Sequence, residues 1–376
     1  MTVEDTAALK RFMNDVIEPP DIGFVSDCLK QGLIEKAAVP RNSCFPCYTP
    51  IPSDISMAWI EITTGCNLRC HHCYNDAYSP SGVQMSFNDY RFVVDELAGL
   101  NVPNIQLIGG EPLIVGEKLL KFMLSYTLGK FKSVEVFTNA TLLTDGLASF
   151  FAENKIRVAV SVYSYDASNH DGITHISGSH KRTLRGIGFL KKHNVCYRVA
   201  NILMAGCELE NKNTELFTLS PDKDVIRMSG RGNKSLLTAE LIRKRLITEK
   251  SFTKPLNRKF IERLARGHNC FVKDVYIAAD LNVYPCVMER RMMHGNLREN
   301  NLRSVLNPDI QNFNKSKIDG CKDCEFRLTC FDCRPDTLTE SVLAKPWYCT
   351  YDPYTGQFAD PEMYINTILS SQIVQK

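Results

Sequence analysis

A chain of 376 residues with 44% apolar content is long enough for a full catalytic domain plus an additional module. Its formal net charge of +3 is too small to argue for nucleic acid or an acidic membrane as partner. No apolar run approaches a membrane span, and the opening MTVEDTAALK is not a signal peptide, so the cytoplasm is the expected compartment and the 15 cysteines are not expected to form a disulfide framework.

Residues 1–56 read as an N-terminal extension. Apolar residues at helical intervals (Leu9, Phe12, Met13, Val16, Ile17) predict a helix over 6–17 that Pro19-Pro20 ends, and a second short helix follows over 25–37. Cys44-Phe-Pro-Cys47 is half a zinc site, a redox pair, an extra set of cluster ligands or an incidental pair. Next comes a predicted strand over 58–63, and then TTGCNLRCHHCYN, which spaces Cys66, Cys70 and Cys73 as CxxxCxxC. Three thiolates on one loop can hold three irons of a cubane and leave the fourth iron open to a small chelating molecule. Zinc, or unligated core thiols, is the plainer reading of the same spacing.

From there the chain alternates strand-like and helix-like segments. Strands are expected over 58–63, 105–108, 133–138, 157–162, 197–204 and 224–228. Helices are expected over 87–100, 117–128, 145–154 and 181–192. Repeated βα units imply an α/β protein with a parallel sheet and right-handed crossovers, whose site gathers at the strand C-terminal ends. Polar or glycine-rich strings lie at those ends: Gly109-Gly110-Glu111-Pro112, Thr138-Asn139-Ala140 and Ser161-Val162-Tyr163. Each also reads as an ordinary strand-to-helix turn. Arg198 lies in the fifth strand and points into the lumen or pairs with a core carboxylate. The polar stretch 207–266 includes an amphipathic helix over 234–252.

A second set of cysteines follows. Cys270 precedes the hairpin-like VYIAADLNVYPC, which ends at Cys286; then come Cys321, Cys324, Cys330, Cys333 and Cys349. Two CxxC units alone would suggest a zinc ribbon. Cys28, Cys196 and Cys207 stand alone and read as buried small apolar residues. The tail MYINTILSSQIVQK reads as an amphipathic helix packed against the barrel.

TTGCNLRCHHCYN resembles the signature loop of radical S-adenosylmethionine (SAM) enzymes, with His72 at the usual aromatic position. The resemblance implies a partial (β/α)6 TIM barrel and a [4Fe–4S] cluster on Cys66, Cys70 and Cys73 whose open iron is chelated by SAM. Gly109, Gly110 and Glu111 then resemble the GGEP motif that contacts the SAM amino group. Thr138, Asn139, Ser161 and Arg198 become candidate SAM contacts, although Ala140 stands where the family's TNG turn has glycine. The later cysteines resemble the SPASM extension, which carries two auxiliary [4Fe–4S] clusters. Carried over, Cys321, Cys324, Cys330 and Cys349 would hold the distal one and Cys270, Cys286 and Cys333 the proximal one, with three ligands evident for the latter, which would keep an open iron for substrate or borrow a thiolate from Cys44, Cys47 or elsewhere. Leu281 replaces the glycine usual before the second cysteine, and the spacing from Cys330 to Cys333 is one residue short.

The implied layout is an extension over 1–56, a barrel over 57–230, a helical linker over 231–266, a SPASM domain over 267–352 and a tail over 353–376. The implied activity is reductive cleavage of SAM to a 5′-deoxyadenosyl radical that takes hydrogen from a peptide residue. HDxIT at 170–174 and Gly178-Ser179 resemble peptide-maturing members, so a ribosomally made precursor is the expected substrate and a thioether or carbon–carbon crosslink the expected product. The external electron donor would be a flavodoxin or ferredoxin, with no nucleic acid or membrane partner. The alternatives are an activator that oxidises one residue of a partner enzyme, as in formylglycine formation, and a non-catalytic iron–sulfur or zinc scaffold that binds a peptide.

Overall fold

Six short segments, the first five rich in apolar residues, form a parallel sheet. The computed structural model describes residues 26, 29–30, 55–77, 79–206, 222–252, 261, 264–265 and 267–370. The two expected N-terminal helices, apart from residues 26, 29 and 30, lie outside the described residues, as do Cys28, Cys44, Cys47 and Cys207. The strands are β1 (Met57–Glu61), β2 (Asn104–Ile108), β3 (Ser133–Thr138), β4 (Arg157–Ser161), β5 (Tyr197–Leu203) and β6 (Asp222–Val225). They pair in sequence order, every pair parallel. The intervening helices are α1 (Phe87–Gly99), α2 (Glu117–Thr127), α3 (Asp145–Glu153), α4 (Ala167–Thr174) and α5 (Ser179–Lys192). Ser86, Thr144 and Asp166 cap α1, α3 and α4 by accepting a backbone N–H of the first turn.

Alternation along the strands separates two faces. Ala58, Ile60, Ile105, Leu107, Val134, Val136, Val158, Val160 and Val199 are buried in one apolar cluster with Tyr90, Val93, Leu97, Leu120, Leu147, Phe151 and Ile187 from the helices. Each large member of that layer contributes roughly 1.5–3 kcal/mol by leaving water. The intervening residues, among them Trp59, Gln106, Glu135 and Arg198, form the opposite, more polar face. The α/β class and parallel sheet expected from the sequence are therefore what is found.

The sheet does not stop at β1. The expected hairpin forms as β7 (Asp274–Ile277) and β8 (Asn282–Tyr284), antiparallel, and β9 (Gly295–Asn296) follows β8. β7 also pairs parallel with β1, Met57 beside Asp274 and Trp59 beside Tyr276, giving the order β6-β5-β4-β3-β2-β1-β7-β8-β9.

Two local expectations are corrected and one, for the tail, is extended. The helix expected over 234–252 is broken: Thr238 caps α6 (Ala239–Arg245), and Ile247 then turns extended to exchange backbone hydrogen bonds with Tyr348 and Thr350. Main-chain pairing with the later cysteine segment overrides helical periodicity there. The tail helix, α7 (Pro361–Ser370), packs on α6 as well as on the barrel end, burying Ile365 and Ile368 in one cluster with Leu241 and Ile242 and with Val225 and Ile226, and Arg243 forks onto Glu362. Cys196 is exposed, because the turn before β5 sets it outward. No helix among the described residues is long and apolar enough to cross a membrane.

Candidate active site and cysteine assemblies

The loop carrying Cys66, Cys70 and Cys73 leaves the C-terminal end of β1 and is held from three sides by backbone hydrogen bonds. Gly110 N donates to Thr63 O and Glu111 N to Gly65 O, both at 2.8 Å. A side chain at Gly110 would place its Cβ 2.3 Å from Gly65 O, so only glycine permits this approach. On the second side, Arg69 N and His71 N donate to Thr174 O (3.0 Å) and Ile173 O (3.1 Å). Those are carbonyls at the C-terminal end of α4, which have no partner within the helix. The HDxIT string thus forms the bed of the cysteine loop. On the third side, Arg231 N donates to Cys73 O at 2.9 Å. Its guanidinium donates to Cys70 O (3.0 and 2.6 Å) and Ala77 O (2.8 Å), and Nη1 meets Asp76 at 2.8 Å. Arg231 was not singled out from the sequence. Its position just past a glycine after the sixth strand was the only local sign.

Glu111, Thr138 and Asn139 come together, and they bind one another. The Glu111 carboxylate is 1% exposed and accepts from Leu113 N (3.0 Å), Thr138 Oγ1 (2.6 Å) and Asn139 N (2.7 Å). Burial raises its pKa above the usual carboxylate value, against those three hydrogen bonds. Asn139 donates to Asn67 within the cysteine loop (3.0 Å), and Asn67 donates to Thr141 (2.8 Å). These residues fix the loop against the ends of β2 and β3. Ser161, at the end of β4, lies with Cys70 within hydrogen-bonding reach of the Tyr163 hydroxyl. The Tyr163 ring stacks on His170 at 5.6 Å and meets His72 edge-on at 4.5 Å.

Arg198 forks onto Glu135, with Nε at 3.1 Å and Nη2 at 3.0 Å. Gln106 donates to the same carboxylate and accepts from Trp59 Nε1 at 2.9 Å. A polar chain therefore crosses the sheet from β1 to β5 on the face away from the helices. The sequence left two readings of Arg198 open; its carboxylate partner is Glu135, on that face.

The remaining thiols fall into two further groups by the charges they feel. Cys270, Cys286 and Cys333 act on one another. Cys321, Cys324, Cys330 and Cys349 form the other set. Burial pushes the Cys70, Cys270, Cys321 and Cys324 thiols up to about 12 and Cys286 to about 11, and raises Cys66, Cys330 and Cys333 as well. Neutral thiols are therefore preferred until a cationic centre draws their protons away. Among the described residues no three His, Cys, Asp or Glu side chains converge at single-ion spacing. A cubane takes its thiolates on separate irons, which suits donors set further apart. Buried ion pairs bind the segment after Cys333 to the residues after β6 and to α6: Asp336 accepts from Arg227 (3.1 Å), Arg245 (3.0 Å) and Met228 N (2.9 Å).

Residues 60–213 match the radical SAM superfamily and residues 270–325 match the SPASM iron–sulfur cluster-binding domain. The chain is 25% identical over 344 residues to an AdoMet-dependent heme synthase of Methanosarcina barkeri, covering 79% of this chain and 96% of that protein. It is 30% identical over 145 residues to the antilisterial bacteriocin subtilosin biosynthesis protein AlbA of Bacillus subtilis, covering 38% of this chain and 32% of that one. Its backbone matches Streptococcus suis SuiB bound to precursor peptide SuiA with a TM-score of 0.61 at 13% identity, over 78% of this chain and 75% of that one. At that identity the likeness is one of fold.

Proposed function

This chain belongs to the radical SAM superfamily and carries a SPASM domain, and from that premise we propose that it is a cytoplasmic peptide maturase that forms an oxidative thioether or carbon–carbon crosslink in a ribosomally made precursor. The reading is carried by one observation. The Cys66/Cys70/Cys73 loop and the hairpin flanked by Cys270 and Cys286 are built on the same sheet, because β7 of the second module pairs with β1, the strand that leads into the loop. The thiol groups number three, three and four, which suits three cubanes, the first with an open corner. Cys66, Cys70 and Cys73 would hold the first cluster, which would supply the electron for cleavage of SAM to methionine and a 5′-deoxyadenosyl radical.

The chain's own residues position and shield. Gly109 and Gly110 bring bare backbone to the loop, leaving room for the amino end of SAM. Arg231 and the end of α4 hold the loop in place, and Ser161 with Tyr163 walls the Cys70 side. The half-buried Trp59–Gln106–Glu135–Arg198 chain gives the substrate a rigid polar surface to orient against. The later thiol groups would hold two auxiliary clusters, which would supply an acceptor for the electron that an oxidative crosslink leaves over. A flavodoxin or ferredoxin would supply the first electron. Similarity to AlbA, by name a bacteriocin biosynthesis protein, and the fold shared with a peptide-bound SuiB favour a peptide substrate.

A second reading, an enzyme acting on a small molecule, is favoured by the nearly full-length similarity to a heme synthase. Anaerobic incubation with SAM, dithionite and peptides encoded by short reading frames beside the gene separates the readings. A peptide whose intact mass falls by the hydrogens lost in a crosslink supports the maturase. A new aldehyde on a partner enzyme supports the formylglycine-type activator. Absence of 5′-deoxyadenosine from fully reconstituted protein supports the non-catalytic scaffold. Turnover of SAM with a tetrapyrrole and none with peptides supports the second reading.

A further inference from the structure

Cys270, Cys286 and Cys333 supply three thiolates for the proximal cluster, and a cubane has four irons. The sheet register shows what stands at the fourth corner. β7 and β8 pair Tyr276 with Tyr284, whose rings lie 5.9 Å apart. Carried two residues toward the hairpin base, the same antiparallel register sets Asp274 opposite Cys286, on the same side of the ribbon as the two tyrosines. Asp274 N donates to Cys270 O at 2.9 Å, which ties Asp274 to the other cysteine of the pair. The Asp274 charge is felt by both thiols.

Four carboxylates act on the three proximal thiols: Asp274, Glu289, Asp332 and Asp336. Three are engaged with cations. Glu289 is held by the Arg291 fork, with Nε at 2.9 Å and Nη2 at 2.5 Å. Asp332 meets Lys315 at 2.9 Å and also Arg334. Asp336 meets Arg227 and Arg245. The Asp274 carboxylate alone of the four has no hydrogen-bond or ion-pair partner among the described residues. A half-buried carboxylate with no hydrogen-bond or ion-pair partner among the described residues, beside the Cys270 and Cys286 thiols, suits a hard oxygen ligand to iron.

We propose that Asp274 is the fourth ligand of the proximal auxiliary cluster, giving it a three-thiolate, one-carboxylate coordination and closing the corner that three cysteines leave open. On binding, the carboxyl proton leaves to solvent and an oxygen takes the fourth iron; no redox change is involved. This rests on the proximal cluster of the proposed function.

The test uses the full chain with Cys66, Cys70 and Cys73 replaced by alanine, so that only auxiliary clusters remain, reconstituted anaerobically. Iron content and EPR after mild oxidation are compared for Asp274, Asp274→Ala and Asp274→Cys. The parent is expected to hold about eight irons and resist loss of a corner iron. Asp274→Ala is expected to fall to about seven and to develop the signal of an oxidised three-iron cluster. Asp274→Cys should restore the parent iron content with an altered spectrum, which shows that the site still folds. An unchanged iron content and spectrum in Asp274→Ala, or a three-iron signal already present in the parent, overturns the ligand assignment alone. A parent holding only about four irons overturns the two-cluster reading, and the assignment with it.

Discussion

The Arg231 guanidinium lies on the main-chain carbonyl of Cys70, with Nη2 at 2.6 Å and Nε at 3.0 Å. It joins the segment after β6 to the loop after β1 and so spans the mouth of the barrel.

Arg231→Met should therefore loosen the first cluster without unfolding the sheet. Charge-assisted hydrogen bonds contribute about 1.5–3 kcal/mol each, so loss of the fork predicts roughly tenfold or faster loss of iron to a chelator from a chain carrying only that cluster. Arg231→Lys recovers little, because an ammonium cannot reach Cys70 O and Ala77 O in one plane. Equal rates of iron release in all three proteins would refute this.

Glu111→Gln tests the knot that joins β2, β3 and the cysteine loop. Both Glu111 oxygens accept, one from Leu113 N and Thr138, the other from Asn139 N. An amide must turn its NH2 against one of those donors, so despite removing a buried charge the variant should be about 1–3 kcal/mol less stable by denaturant melt. Burial raises the Glu111 pKa, so ionisation opposes folding, and the wild-type penalty appears as pH rises through the carboxylate range.

Gly110→Ala should abolish loading of the first cluster, because its Cβ would meet backbone on both Thr64 and Gly65 at 2.6 Å or less. Auxiliary iron should remain, and metal analysis separates the two. Iron content equal to wild type would contradict the close approach described above.

Two buried imidazoles make the fold sensitive to mild acid. His170 and His294 are lowered to about 4, chiefly by burial. The unfolded chain takes up their protons near pH 6.5 while the folded one does not until about 4. Stability therefore falls as pH drops through that window, by about 1.4 kcal/mol per pH unit for each group at most. His294 Nδ1 accepts from Asn307 N at 3.0 Å, so His294→Asn keeps an acceptor there and should flatten the fall in melting temperature between pH 7 and 5.

Leu281 carries the departure from the SPASM glycine, and its φ is +72°. The left-handed backbone that glycine would favour is present, occupied by leucine at a strain of about 1–2 kcal/mol. Its side chain is 2% exposed in the main core, and emptying such a site costs about 2–5 kcal/mol. Burial wins, so Leu281→Gly should lower stability. At Ala140, φ is +57° and only a methyl is at stake, so Ala140→Gly should be neutral or stabilising by up to about 1 kcal/mol. A melting series on both variants checks the opposite signs.

These two positions show how far the sequence could be read. Strand periodicity and the cysteine spacings located the sheet and the thiol groups, because both are local patterns. The sequence could not show that Glu111 and Thr138 bind each other, since 27 residues separate them. Nor could it show that Arg198 meets Glu135, 63 residues away. The helix expected over 234–252 failed for the same reason: local periodicity carries no information about Tyr348, whose carbonyl Ile247 chooses instead.

The pairing of β1 with β7 has a consequence for how the chain can be divided. Severed after residue 230, the first module would present the open hydrogen-bonding rim of its innermost strand to water, with no charged or bent guard strand beside it. Such a fragment would be prone to join its own copies edge to edge. The two modules are therefore better regarded as one folding partnership than as separable cassettes, and exchanging the second between relatives would succeed only where the incoming hairpin fits Met57, Ala58, Trp59 and Ile60.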